Sequence, residues 1–216
     1  MTRPRYLVLV AGTATDIGKT WVGGEVLTRL RAFGTTVAAR KPAQSAHLDD
    51  PGPSDAAVLA AATGEPVTAV CPEHRSYTIA MAPPMAAEAL GLPVPTIAGL
   101  VAELTWPEPA VDVGWIETVG GPRSPIGVDG DAVTLAGVLK PDLVLLVADA
   151  GLGTVSSVLL GVDAFSPWPV VVFLNRYDPT DDLHRRNLDW LRTRERLEVV
   201  VDLEALSILV AGEPFA

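Results

Sequence analysis

The sequence predicts an α/β fold, a doubly wound and mostly parallel sheet flanked by helices. Short apolar runs rich in β-branched residues alternate along the chain with segments of helical periodicity, which is typical of strands that are buried on both faces. A glycine-rich turn joins the first apolar run to the first helical segment. Residues 1–216 suit a single domain, because no long flexible linker or internal repeat interrupts them.

Each element of this fold has its own local signal. Six apolar runs predict strands at Tyr6–Val10, Thr36–Ala39, Val113–Ile116, Asp142–Ala148, Val170–Leu174 and Glu198–Val201. Helical patterns predict helices at Lys19–Phe33, Asp55–Thr63, Pro84–Leu90, Thr96–Glu103, Ala132–Leu139, Val155–Phe165 and Asp181–Arg196. In the first helix, apolar residues recur at three- and four-residue spacing from Val22 to Leu30, and Gly34 then ends it.

The composition limits the class of protein. The net charge is −10 and no long run of lysine or arginine occurs, so we do not expect a nucleic-acid partner, which needs a concentrated positive field. No segment approaches the roughly 18 apolar residues of a membrane span, and the apolar run after Arg5 is too short for a signal peptide. The single cysteine, Cys71, cannot form an internal disulfide, so we expect a soluble, cytoplasmic protein.

The turn between the first strand and the first helix carries the strongest functional signal. It reads Gly12-Thr13-Ala14-Thr15-Asp16-Ile17-Gly18-Lys19-Thr20. At such a turn the backbone N–H groups and the positive end of the helix face one point, where anions bind. Lys19 is expected to pair with the β- and γ-phosphates of a nucleotide triphosphate, and Thr20 to offer its hydroxyl to Mg²⁺. A purely structural turn would not explain glycine, lysine and threonine placed together at a helix start.

This loop resembles the G-T-x-T-x-[VI]-G-K-T phosphate loop of the dethiobiotin synthetases, with five residues rather than four between its two glycines. Partition-type ATPases are related proteins with a different function, and they have a second lysine at the position of Thr13. Thr13 therefore argues against a partition-type ATPase. The resemblance implies a P-loop NTPase-like fold and an ATP-dependent cyclo-ligase of biotin biosynthesis. It also implies that Thr15 bonds the reacting groups and that the nucleotide is bound by Gly12, Thr13, Asp16, Ile17, Gly18, Lys19 and Thr20.

A second lysine follows the second predicted strand, in Lys41-Pro42-Ala43-Gln44-Ser45. This segment resembles the family's K-P-x-x-[ST]. The resemblance implies that Lys41 and Ser45 bind the carbamate and the phosphoryl group during its transfer. A second cation opposite the phosphate loop suits phosphoryl transfer, since charge spreads over the moving oxygens. Standing alone, Lys41 would instead be a solvated lysine at a strand end.

Two carboxylates suit a metal site beside Thr20. Asp55 follows Ser54, which is expected to cap a helix, and the family's S-D-A aspartate is a Mg²⁺ ligand. Glu117 ends an apolar strand, at the edge of a parallel sheet where ligands bind. Three hard oxygen ligands, together with ATP oxygens, match Mg²⁺.

Three further segments resemble parts of the family's substrate site. Thr118 and Val119 replace the glycine and alanine of the family's E-G-A-G-G. Their larger side chains are expected to narrow the substrate pocket that Gly120 and Gly121 shape, or to change its lining. The segment from Tyr77 to Pro84 resembles Y-x-x-x-x-x-[SA]-P, which implies that Pro83 faces the diamine. The segment from Gly151 resembles L-G-x-[IL]-N-H, with Ser156 and Ser157 for asparagine and histidine. It implies that the substrate carboxylate is bound across a homodimer interface by Thr154, Val155 and Ser156.

Asn175 resembles the family's strand-end asparagine that reads the nucleotide base, although a lone asparagine there is more often a turn former. For the family's later base-binding strand end, the candidate is Val201–Glu204. Asp149, at another strand end, has no family counterpart and stays unassigned.

The resemblance implies carboxylation of 7,8-diaminopelargonate with CO₂ or bicarbonate, phosphorylation of the carbamate by ATP, and closure of a cyclic urea. Two alternatives stay open. A paralogue acting on a different amine or carboxylate is favoured by the departures at Thr118, Val119, Ser156 and Ser157. A non-catalytic nucleotide-switch protein would show partner-dependent ATPase activity without a carboxylated product.

Overall fold

The computed structural model describes residues 3–47 and 49–212. Its strands are β1 (Tyr6–Gly12), β2 (Val37–Arg40), β3 (Gln44–Ser45), β4 (Ser76–Tyr77), β5 (Val113–Glu117), β6 (Pro125–Gly127), β7 (Gly130–Asp131), β8 (Leu143–Asp149), β9 (Val170–Asn175) and β10 (Val199–Val200). Its helices are α1 (Lys19–Ala32), α2 (Asp55–Thr63), α3 (Val67–Val70), α4 (Pro83–Ala89), α5 (Ile97–Glu103), α6 (Ala132–Leu139), α7 (Thr154–Ala164), α8 (Asp182–Asp189) and α9 (Leu203–Val210). A 3₁₀ turn covers Glu73–Arg75 and a π-helical turn Trp190–Arg194.

Six strands form one parallel sheet in the order β10-β9-β8-β1-β5-β2. These are the six strands that the sequence predicts, so the predicted fold class is confirmed. Because the strands share one direction, their carboxyl ends lie along one edge of the sheet. The chain therefore places at this edge Gly12, Lys41, Glu117, Asp149 and Asn175.

Alternate residues of the sheet pack into two separate apolar layers. Leu7 and Leu9 of β1 pack in the layer that contains residues of α4, α5, α6 and α7. Val8 and Val10 pack in the opposite layer, with residues of α1, α2 and α9. Helices thus cover both faces of the sheet, and full burial of each such aliphatic side chain contributes roughly 1.5–3 kcal/mol.

The helix predicted at Asp181–Arg196 is divided in the structure. It begins as α8 and continues as the π-helical turn, in which the Glu195 N–H donates to the Trp190 carbonyl at 3.2 Å. Within this turn Leu191 is fully buried, whereas α8 itself has no buried residue. The wider turn therefore accommodates the apolar residue that anchors an otherwise polar helix.

The segment Val201–Glu204, the candidate for the base-binding strand end, directly follows β10 and leads into α9. The Asp202 side chain accepts a hydrogen bond from the Ala205 N–H at 2.9 Å and so caps this helix. Leu206 and Val210 are buried one turn apart, which fixes α9 against the sheet. Within residues 3–47 and 49–212, no helix is long and apolar enough to span a membrane.

Candidate active site

The phosphate loop lies between β1 and α1, as the sequence predicts. Gly18 caps α1 in the left-handed backbone region, with φ +91°. A Cβ atom on Gly18 would lie 2.2 Å from the Asn175 Nδ2 atom, so glycine is required here on both grounds. At the start of the loop, the Gly12 N–H donates to the Gly120 carbonyl at 3.1 Å. The first N–H groups of α1 have no partner within the helix and are available to an anion.

Lys19 brings a positive charge to this helix start. Its side chain is buried, and its Nζ atom makes only a long contact of 3.4 Å with the Ala14 carbonyl among the described residues. Burial, and then the charge of Lys41, lower the pKa of Lys19 below its ordinary value. A buried ammonium group with so little compensation attracts an anion strongly, because the surrounding dielectric is low.

Four of the predicted site residues form one polar cluster: Thr20, Lys41, Asp55 and Glu117. The Thr20 hydroxyl lies 2.9 Å from Asp55 Oδ1 and 2.7 Å from Glu117 Oε1. The Lys41 Nζ atom lies 2.7 Å from Asp55 Oδ2 and 2.6 Å from Glu117 Oε1. The sheet thus brings together side chains from distant parts of the chain, and Lys41 is a buried ion-pair member rather than a solvated lysine.

The charges of this polar cluster depend on one another. Burial alone lowers the pKa of Lys41, but the carboxylates of Glu117 and Asp55 outweigh it, and the pKa lies well above its ordinary value. Burial raises the pKa of Asp55, whereas Lys41 and the Thr20 hydroxyl lower it by more, so that the result is a lowered pKa. Lys41 and Asp55 are therefore both charged at neutral pH.

The oxygen atoms of the polar cluster fit a Mg²⁺ ion. Glu117 is fully buried, and its Oε2 atom has no hydrogen-bond partner within the described ranges. A carboxylate oxygen left without a donor suits a cation, and Mg²⁺ prefers hard oxygen ligands such as those of Thr20, Asp55 and Glu117. No group of three or more His, Cys, Asp or Glu side chains that could hold a metal occurs among the residues that the structure describes. Nucleotide oxygens and water would therefore complete the ligand set.

Three adjoining cavities form a trough along the carboxyl edge of the sheet. The phosphate cavity, of about 360 Å³, is lined by Lys19, Lys41 and Asp55 among others. A second cavity, of about 610 Å³, shares Gly18 with it and continues past the ends of β9 and β10; it is named the base cavity after Asn175, the predicted base ligand that lines it. The outer cavity, of about 520 Å³, shares Thr15 with it and continues to the start of α4. A nucleotide and a second substrate can therefore meet at the phosphate cavity.

The outer cavity contains the predicted substrate residues of β3 and α4. Ser45 lines both the phosphate and the outer cavity, and its hydroxyl donates to the Met81 carbonyl at 2.6 Å. Pro83 opens α4 and lines the outer cavity. Since the Ser45 hydroxyl donates to the protein, its oxygen is left to accept a bond from a ligand.

The two departures from the family's glycine-rich segment have different outcomes. The Thr118 side chain is fully buried, and its hydroxyl donates to the Val10 carbonyl at 2.9 Å. The expectation that Thr118 narrows the pocket is therefore wrong, because its hydroxyl bonds inside the sheet. Val119 does line the phosphate and outer cavities, together with Gly120. Gly121 instead lines a neighbouring cavity, which it shares with Thr13.

The predicted carboxylate-binding residues of α7 lie apart from the trough. Thr154 is buried at the start of α7, and its hydroxyl has no hydrogen-bond partner within residues 3–47 and 49–212. Val155 and Ser156 line a surface pocket beside α7, together with Trp190, and this pocket is not part of the trough. One chain alone therefore does not bring these residues to Lys41, and their predicted role requires a second chain.

Sequence reasoning missed several residues of the base cavity. Trp21, Arg29, Arg176 and Tyr177 all line it. Asn175 also lines this cavity, and its amide nitrogen donates to the Ile17 carbonyl at 2.9 Å. One N–H of that amide is left for a base. The available signal was positional, since Arg176 and Tyr177 directly follow the end of β9.

Known proteins resemble this chain over most of its length. A family model described as an AAA domain matches residues 7–211. The ATP-dependent dethiobiotin synthetase BioD of Rhodococcus erythropolis is 38% identical over 159 residues, which cover 73% of this chain and 68% of that protein. The protein of the same name from Anaeromyxobacter dehalogenans is 37% identical over 182 residues, which cover 81% and 78%. The chain belongs to the dethiobiotin synthetase family.

Members of the dethiobiotin synthetase family are ATP-dependent cyclo-ligases, and the chain is an enzyme of this class. Solved structures support the fold alone. The signal recognition particle receptor FtsY from Elizabethkingia anophelis has a TM-score of 0.56 at 15% identity, with 98% of this chain and 65% of that chain covered. A plasmid partition protein from Borrelia burgdorferi has a TM-score of 0.55 at 12% identity, with 98% and 97% covered.

Proposed function

We propose that this chain makes dethiobiotin from 7,8-diaminopelargonate, CO₂ and ATP, in biotin biosynthesis, as one ATP-binding domain. The observation that carries the proposal is the trough. Lys19 and Lys41 lie in its phosphate cavity, between a cavity for a nucleotide base and a second polar cavity. An enzyme that transfers a phosphoryl group from ATP to a small acceptor needs this order of sites.

In the first step, one amine of the substrate attacks CO₂. The amine lone pair forms a C–N bond as one C=O π pair moves to oxygen, the amine proton passes to water, and an anionic carbamate results. The carbamate oxygens would lie beside Lys41 and Thr15, which line the phosphate cavity where it meets the outer cavity, and the Ser45 hydroxyl would donate to them in place of the Met81 carbonyl. The positive charge of Lys41 favours the anionic carbamate over the neutral amine and CO₂.

In the second step, a carbamate oxygen attacks the γ-phosphorus of ATP. An O–P bond forms as the bond to ADP breaks, which gives a carbamoyl phosphate. Lys19 and Lys41 neutralise the charge on the moving oxygens, and the N–H groups at the start of α1 hold the phosphates. Thr20, Asp55 and Glu117 would hold Mg²⁺, which would supply further positive charge to the phosphate groups during the transfer.

In the third step, the second amine attacks the carbamoyl carbon. The new C–N bond closes the cyclic urea, phosphate leaves with the C–O electron pair, and the amine proton is released. Phosphorylation has made this oxygen a leaving group, so the chain needs mainly to hold the amine near the carbon. Val119, Pro83 and Gly120 line the outer cavity that would hold it.

We also propose a homodimer, in which the start of α7 of one protomer binds the substrate carboxylate at the trough of its partner. The N–H groups at that helix start suit a carboxylate. Thr154, Val155 and Ser156 lie there and do not reach the trough of their own chain. Leu152 and Leu160 on the same surface are 92% and 69% exposed, which favours a partner subunit.

Product analysis tests the proposed reaction. The protein is incubated with 7,8-diaminopelargonate, carbon-13 bicarbonate, ATP and Mg²⁺, and mass spectrometry follows the products. We expect labelled dethiobiotin and an equal amount of ADP, both lost when EDTA removes the metal. Carboxylation of another diamine only would identify the paralogue, and nucleotide binding without any carboxylated product would identify a nucleotide switch.

A further inference from the structure

Two residues at the end of β9 each hold a carbonyl of the phosphate loop. The Asn175 amide donates to the Ile17 carbonyl at 2.9 Å, and the Arg176 Nη2 atom donates to the Asp16 carbonyl at 3.1 Å. The other terminal nitrogen of Arg176, Nη1, donates to Asp149 Oδ2, also at 3.1 Å. Arg176 therefore connects the phosphate loop to the end of β8.

The carboxylate at the other end of this connection is itself fixed. Asp149 is the last residue of β8, and its Oδ1 atom accepts a hydrogen bond from the Gly151 N–H at 2.9 Å. A carboxylate bonded through both oxygens has one orientation. Arg176 is thus anchored to the rigid sheet at one end and to the loop at the other.

The held carbonyl belongs to the part of the phosphate loop with the least packing. Ala14, Thr15 and Asp16 are exposed, and Asp16 adopts the left-handed backbone with φ +54°. A phosphate loop binds anions because its N–H groups face the phosphates, so a carbonyl turned inward would repel them. A donor that holds the Asp16 carbonyl keeps this peptide from turning.

Stability does not explain the arrangement. Arg176 itself has a left-handed backbone with φ +57°, which disfavours any residue but glycine, asparagine or aspartate. Its ion pair with Asp149 is largely exposed, and such pairs contribute little to folding. The same left-handed backbone occurs at Lys140 and Arg196, so it is the hydrogen bond from Arg176 to the phosphate loop, next to a ligand site, that points to a functional constraint.

We infer that Arg176 is a positioning residue, which together with Asp149 holds the phosphate loop at Asp16 in its anion-binding shape. This inference rests on the proposed binding of ATP at the loop. Although Arg176 lines the base cavity, its effect falls on the polyphosphate and not on the base. Inorganic tripolyphosphate, which has no base, therefore separates the two roles.

Calorimetry with Mg²⁺ compares the binding of tripolyphosphate and of a non-hydrolysable ATP analogue. Arg176→Ala should weaken both by the same factor, roughly tenfold, since a hydrogen bond from a charged donor is lost. Asp149→Ala should weaken both by roughly three- to fivefold, because Arg176 remains but is no longer anchored. The double variant should bind no more weakly than Arg176→Ala, as expected for residues that act as one unit. Arg185→Ala, which removes an exposed arginine of α8 that pairs with Asp182, is the matched control and should change neither affinity.

The Asp149→Ala variant also separates positioning from plain electrostatics. Removal of a negative charge favours anion binding if only the long-range field matters, whereas positioning predicts weaker binding. Tighter tripolyphosphate binding by Asp149→Ala would overturn the inference, as would an Arg176→Ala variant that loses affinity for the nucleotide alone. If the unmodified chain bound neither ligand, the proposed function itself would fail, whatever the variants did.

Discussion

One ion pair lies at the phosphate cavity and another lies at the base cavity, and the two pairs differ in burial. The side chains of Lys41 and Glu117, at the phosphate cavity, are 3% and 0% exposed. The side chains of Arg176 and Asp149, at the base cavity, are 60% and 41% exposed. A buried charge is unstable without its partner, because no water solvates it. The attraction between two exposed charges is largely screened by water, so it contributes little free energy.

The difference in burial separates two tasks. In the proposed mechanism the buried pair supplies charge to the reaction, so loss of one member should disturb both folding and catalysis. The exposed pair restrains a loop, so loss of one member should disturb binding and leave folding nearly unchanged. Four variants, taken from the largest expected effect to the smallest, test the site, and two of them, Lys41→Met and Arg176→Ala, test this contrast directly.

The largest effect is expected from Lys19→Ala in the phosphate cavity. Its ammonium group is buried at the helix start, and we expect the rate of ATP-dependent product formation to fall about 10²- to 10³-fold, as when a preorganised donor to transition-state charge is removed. Mass spectrometry of the product measures the rate. Lys140→Asn is the matched control, because Lys140 is exposed and asparagine tolerates its left-handed backbone. Retained turnover in Lys19→Ala would reject the site assignment.

A large effect on folding is expected from Lys41→Met. The variant leaves the Glu117 carboxylate buried without its cation, and loss of one member of a buried pair lowers the free energy of unfolding by about 3 kcal/mol or more. Urea unfolding measures this loss. The double variant Lys41→Met with Glu117→Gln should recover much of the stability, because no charge is then left uncompensated. If the double variant were less stable than Lys41→Met, the pair would not be the source of the loss.

The phosphate cavity could be predicted from the sequence because its signals are local. Each strand of the sheet is a short apolar run, and Lys19, Lys41, Asp55 and Glu117 each stand next to a predicted strand or helix. The carboxyl ends of parallel strands share one edge, so correct strands bring these residues together without further information. The buried polar cluster is thus a consequence of the fold class.

The base cavity could be predicted only in part, because Asn175 and Val201–Glu204, which line it, stand at the ends of predicted strands, whereas the bridge made by Arg176 has no local signal. Arg176 bonds to Asp16 and Asp149, which are 160 and 27 residues away. A lone arginine after a strand gives no sign of such a bridge. The direction of the Thr118 side chain likewise depends on the pairing of β1 with β5. The sequence alone does not reveal this pairing.

A moderate effect on substrate affinity is expected from Val119→Ala. Val119 lines the outer cavity, so the variant should raise the KM for 7,8-diaminopelargonate about tenfold through lost apolar contact, with kcat little changed. Steady-state kinetics of dethiobiotin formation measure both constants. Thr118→Val is the matched control, because its hydroxyl bonds within the sheet and its loss should lower stability without raising the KM. A lower KM in Val119→Ala would favour the paralogue that acts on a different amine.

The smallest effect is expected from Arg176→Ala, measured on folding rather than on binding. The exposed ion pair contributes little, so the free energy of unfolding should change by no more than about 0.5 kcal/mol. The left-handed backbone strain at this position is the same for arginine and alanine, so it adds no difference. Urea unfolding without nucleotide places this variant and Lys41→Met on one scale. A loss above about 1.5 kcal/mol would show that the exposed pair supports the fold as well, and weaker nucleotide binding by Arg176→Ala would then follow from instability rather than from a misplaced loop.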